Sequence, residues 1–127
     1  MIQDRQDKKV ALAVDTSSKD APALLINNIV KLFETVKPDT ILVQADFKIR
    51  SIEQIKSDTI KYQTHGKSSY TLVLEWAAEE KIDTLFYITD VTGFFAEDMD
   101  SLAFEMFWLV PGEFVPRVPF GKAIKVA

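Results

Sequence analysis

The sequence contains no cysteine and a single histidine, His65. The first absence excludes a disulfide framework, a thiolate nucleophile and any cysteine-based zinc site. The second excludes a histidine pair such as H-E-x-x-H, and with it a metallopeptidase chemistry housed in this chain. Glycine and proline are sparse, four and five residues among 127, so collagen-like and low-complexity classes drop out. No apolar run reaches the ~18 residues that a membrane span needs, and the start MIQDRQDKKV is polar, so neither a signal peptide nor a membrane anchor is expected. A strong charge of one sign is lacking too. Fifteen Lys+Arg stand against nineteen Asp+Glu, a net charge of -4, and the lysines are scattered among acids, which argues against nucleic acid as the partner. The expected compartment is the cytoplasm.

What is present is the composition of an ordinary globular protein, 47% hydrophobic and 27% charged, long enough for one self-sufficient core. A single domain over 1–127 is expected, with residues 1–9 a polar lead-in whose Lys8 and Lys9 read as strand-edge charge. Two runs stand out, VALAVD ending on Asp15 and TLFYITD ending on Asp90. Each is apolar on both faces, as a central strand of a parallel sheet must be, and each finishes on an aspartate. Open α/β sheets bind ligands at the carboxyl ends of their strands, so the function question centres on an oxygen-rich cluster there.

Between and around these runs the pattern alternates strand and helix. Strands are expected at Val10–Thr16, Thr40–Ala45, within DFKIRSIEQI, at Thr84–Thr89, at Met106–Val110 and at Lys122–Val126, the last as a closing edge. Helical spacing of Leu25, Ile29, Leu32, Phe33 and Val36 predicts a helix from Ala21 to Val36, stopped by Lys37-Pro38-Asp39. A second helix is expected from Tyr70 to Lys81, with Leu72, Val73, Trp76 and Ala77 inward and Glu75, Glu79 and Glu80 outward. The fold class is therefore α/β: a doubly wound, mainly parallel sheet with helices on both faces and one antiparallel edge strand. Residues 56–69 lose their period and read as a long loop containing His65-Gly66.

The stretches VALAVDTSS, ILVQADFKI, SSYTLVLEW, LFYITDVTGFF and WLV followed by VPFGKAIKV resemble, in order and over nearly the whole chain, a von Willebrand factor A (VWA) type domain. The resemblance is to the bacterial VWA-like domain at the C-terminus of predicted metallopeptidase-like proteins. It implies a metal-ion-dependent adhesion site built from an Asp-x-Ser-x-Ser motif, a threonine in a separate loop and an aspartate after a later strand. Matched residue by residue, Asp15 and Ser17 take the first two positions, Ser68 stands where the family has threonine, and Asp90 is the later aspartate. Oxygen donors of this kind suit Mg2+ or Mn2+, hard cations that keep several waters and leave a position open for a partner's carboxylate.

The third motif serine is Lys19 here, and Ser69 replaces the acid that often follows the family's threonine. Lys19 removes a ligand and adds a charge; an ammonium ~4 Å from a divalent ion would be repelled by roughly 8 kcal/mol at an effective dielectric of about 20. The site is therefore expected to be degenerate, with metal binding weakened or lost. Lys19 either replaces the cation by pairing with Asp15 or Asp90, or is a solvated residue of the first helical turn.

The resemblance implies a non-enzymatic protein-interaction module with a protein partner engaged through an acidic residue, away from nucleic acid and membrane. Phe94 and Phe95, close behind Asp90, are candidate anchors at the rim of the cluster or else core filling under a loop; Trp108 is assigned to the core. The alternative is a structural accessory domain of a metallopeptidase-like or ATPase-associated assembly. Enzyme readings have little support: His65 lacks a G-x-S-x-G elbow elsewhere in the chain, and Gly66-Lys67-Ser68 is only the tail of a phosphate-loop motif. Glu79-Glu80 and the Asp98, Asp100 pair read as solvated faces or caps.

Overall fold

A computed structural model describes residues 7–15, 23–45, 49–55, 71–89, 104–110 and 121–125. Its elements run β1 (Val10–Asp15), α1 (Ala23–Val36), β2 (Ile41–Ala45), β3 (Ile49–Gln54), α2 (Thr71–Glu79), β4 (Thr84–Ile88), β5 (Glu105–Val110) and β6 (Lys122–Lys125). The six strands form one sheet in the order β3-β2-β1-β4-β5-β6. All neighbours are parallel except β2 and β3. The expected mainly parallel α/β sheet is present, its antiparallel edge is β3, and the closing edge β6 is parallel.

The near-continuous apolar character of β1, β2, β4 and β5 follows from burial on both faces. Alternate residues divide between two cores. Val10, Leu12 and Val14 join Ile26, Val30 and Phe33 of α1, together with Phe86, Ile88 and Phe107. Ala11 and Ala13 face the other way, into a cluster with Val73, Leu74 and Ala77 of α2, Tyr87 and Trp108. In-register neighbours carry matched rings on each face. Phe86 stacks on Phe107 at 5.1 Å and Tyr87 on Trp108 at 5.6 Å, with Phe33 edge-on to Phe86 at 5.0 Å. Trp108 belongs to the core, as the sequence suggests.

Both helices are rotated relative to the expected faces. The buried stripe of α1 is Ile26, Val30 and Phe33, while Leu32 is 53% exposed; that of α2 is Val73, Leu74 and Ala77, with Leu72 exposed and Trp76 only half-buried. In each helix more apolar residues are available than the contact with the sheet can cover, and the packing selects those along the seam. In β3, Ile49 and Ile52 are three residues apart yet lie opposite Ala45 and Val43, both in the α2-side core. The register shifts between Gln44 and Ala45, and this irregularity breaks the two-residue alternation of a regular strand.

The amino edge of the sheet is fastened by contacts from loop backbone. Lys9, expected to be strand-edge charge, receives both Asp83 N–H (2.8 Å) and Thr84 N–H (3.2 Å) at its carbonyl. It also donates its own N–H to Asp83 Oδ2 (2.7 Å) and its ammonium to the Glu80 carbonyl (2.6 Å). α2 ends in a Schellman turn: Lys81 has φ 55, with Lys81 N–H to Ala78 O at 3.2 Å and Ile82 N–H to Ala77 O at 3.0 Å. These contacts set where β4 starts beside β1, and so where both strands end.

Candidate functional site

β1 crosses to β2 on one side, whereas β4 lies on β1's other side and leads outward to β5 and β6. The strand order thus reverses between β1 and β4, and the carboxyl ends of those two strands flank the crevice where open α/β sheets hold ligands. Asp15 is the last residue of β1 and lies in register with Ala45 of β2. The last aligned pair between the central strands is Val14↔Ile88. Thr89 follows Ile88, and Asp90 is the next residue in the chain. The two apolar runs singled out by their terminal aspartates are therefore adjacent parallel strands at the switch point.

Ser17, Lys19, Ser68, Asp90, Phe94 and Phe95 lie outside the described residues, as does the side chain of Asp15. His65 and Gly66-Lys67-Ser68 also lie outside them. The structure places the backbone of Asp15, and it places Thr71 at the start of α2, three residues beyond Ser68. Among the described residues no group of three His, Cys, Asp or Glu side chains could hold a metal ion. Among them, too, no helix is long and apolar enough to cross a membrane.

Two polar residues close to this edge escaped the sequence reading. Gln44 is buried, in register with Val14, and Thr89 is 0% exposed with its N–H donating to Leu109 O at 3.2 Å. A signal existed for each, since a polar residue interrupts an otherwise apolar strand in ILVQA and in TLFYIT. A buried amide or hydroxyl costs free energy unless its hydrogen bonds are made, so such interruptions mark places where the sheet meets polar surroundings.

Known proteins place the chain. No curated protein matches it. The fold resembles the crystal structure of the ArnB paralog VWA2 from Sulfolobus acidocaldarius, with a TM-score of 0.54 at 16% sequence identity; the match covers 84% of this chain and 35% of that one. The chain therefore spans about a third of that archaeal protein, and at this identity the likeness concerns the fold alone. The family VWA-like domain (DUF2201) matches residues 10–127, from the first residue of β1 to the end of the sequence. The chain belongs to the VWA-like domain family DUF2201.

Proposed function

We propose that this domain is a non-enzymatic protein-interaction module whose binding surface is the carboxyl edge of the sheet at β1 and β4. The observation that carries this reading is the adjacency of the two strands whose runs end on Asp15 and Asp90, at the reversal of strand order. Four oxygen-bearing positions, Asp15, Ser17, Ser68 and Asp90, retain the character of a hard-cation site. Lys19 in place of the remaining serine does not fit a divalent ion. In this reading its ammonium supplies the positive charge, neutralises the aspartates and engages an acidic group of a protein partner directly, with Phe94 and Phe95 supplying apolar contact at the rim.

The test is thermal unfolding in EDTA and then in millimolar magnesium or manganese, since an ion that binds only the folded state raises its stability, by about 2.7 kcal/mol at a hundredfold excess over Kd. The natural chain should show no shift, and Lys19→Ser should gain one that disappears with Asp15→Ala or Asp90→Ala. A shift in the natural chain would show that the metal site is intact. No gain in Lys19→Ser would remove the argument for a lysine in the cation's place. If substitutions around Asp15 and Asp90 leave partner binding untouched while changes on remote surfaces abolish assembly, the domain is a structural accessory.

A further inference from the structure

β3 closes one side of the sheet, and among the described residues no strand lies beyond it. An edge of this kind offers a row of backbone N–H and C=O groups to any second strand, so a sheet that is to stay discrete needs some means of refusing one. The opposite edge carries it in its sequence, since β6 is four residues long and begins and ends on lysine, Lys122 and Lys125. β3 is six residues long, contains neither lysine nor proline, and leaves Ile52 45% exposed. What β3 has instead is a break in its ladder. Ser51 lies opposite Gln44 and Ile49 opposite Ala45, so one step along β2 spans two along β3 and Arg50 has no counterpart. An unmatched residue disrupts the hydrogen-bonding row and bends the strand. The same spot carries a second cost: Ser51 Oγ, on the next residue, is buried without a hydrogen-bond partner among the described residues.

We propose that the unmatched position at Arg50 guards this edge, its interruption of the ladder preventing a second copy of the chain from adding its own β3 to that of the first. A second copy is the strand most in need of refusal because it brings an identical edge. Two antiparallel β3 strands related by a two-fold axis through Ile52 would set the exposed Ile52 of each against the other on the α2 face, and position 50 falls inside the paired stretch of both. Deleting Arg50 joins the two parts of the ladder without moving a pair, since Ile49 keeps Ala45 and Ser51 keeps Gln44. It leaves Ile49 and Ile52 two residues apart on one face, the spacing of a regular strand. The guard lies on the β3 edge, away from the central strands β1 and β4, so it stands or falls independently of the binding surface proposed there.

The experiment is sedimentation velocity on the whole chain between about 1 μM and 1 mM, the range in which unpaired strand edges associate. The natural chain should sediment as a monomer throughout. Deletion of Arg50 should produce a species of twice the mass that grows with concentration, and adding Ile52→Lys to the deletion should return the monomer by setting like charges opposite one another. Glu53→Val, which removes a charge from the exposed edge but keeps the unmatched residue, should stay monomeric. A deletion variant that folds and stays monomeric overturns the assignment, and so does association of that variant that survives Ile52→Lys. Association of the natural chain or of Glu53→Val that Ile52→Lys abolishes overturns it as well. Circular dichroism reports the folding of each variant; a deletion variant that does not fold also overturns the assignment, because the extra residue would then hold β3 in place rather than guard its edge.

Discussion

Lys37 Nζ lies 3.0 Å from Asp39 Oδ1, joining an ammonium whose side chain is 1% exposed to a carboxylate whose side chain is 75% exposed. The pair sits just past α1, where Lys37 N–H donates to Phe33 O (2.8 Å) and Thr40 closes the turn with N–H and Oγ1 bonds to Lys37 O (3.1 and 2.7 Å). The stem of Lys37 packs like an apolar residue, and its ammonium, buried with it, meets the carboxylate of a largely exposed Asp39.

Removing the exposed Asp39 carboxylate takes a charged partner from the buried Lys37 ammonium, whereas removing the buried charge leaves a carboxylate that water can solvate. Asp39→Asn should therefore cost about 1 kcal/mol, the exposure of Asp39 reducing it from the value for a fully buried pair, and Lys37→Met should cost less. Urea midpoints of the two variants check the order. A Lys37→Met variant less stable than Asp39→Asn would refute it.

Backbone sign decides two opposite substitutions. Gly121 has φ 73, and a Cβ there would lie 2.6 Å from the Met106 carbonyl and 2.8 Å from its Cβ, against the strand that β6 must join. Gly121→Ala should lose at least about 2 kcal/mol, from the left-handed conformation and the displaced edge together. Lys81 holds φ 55 with a side chain, so Lys81→Gly should gain about 0.5 kcal/mol or more despite the greater freedom of its unfolded chain. Thermal or urea unfolding of both variants reads the two signs.

The rotation of α1 separates neighbours that hydropathy alone treats alike. Leu32→Gln, at a 53% exposed position, should change stability by less than about 0.5 kcal/mol. Phe33→Ala should lose about 3–5 kcal/mol, since Phe33 fills the space against the Phe86 ring. Equal losses at the two positions would mean that Leu32 faces the sheet after all.

Much of the fold was legible because each strand announces itself locally. VALAVD and TLFYI are too apolar and too rich in β-branched and aromatic residues for a surface element, and both appear as central parallel strands. The Lys37-Pro38-Asp39 stop ends α1 at Val36 as expected, because proline cannot continue a helix. The helix faces were misread at Leu32 and Leu72 because a hydrophobic period names a surplus of inward candidates, and only the partner surface chooses among them. The register shift in β3 was invisible for the same reason, as register is a property of two strands.

The candidate site divides along the same line. The sequence alone marked Asp15 and Asp90 as the ends of two apolar runs, a fact of residue type and order that needs no fold; Ser17 and Ser68 as further oxygen donors, and Lys19 as the departure from the motif, are what the resemblance to the VWA family implies. Only the tertiary structure decided that β1 and β4 are neighbours with the strand order reversing between them, and that Thr89, one residue past the end of β4, is buried. Strands separated by some seventy residues become adjacent through sheet pairing, a long-range choice settled by two helices covering opposite faces, and no local pattern encodes which strand lies next to which.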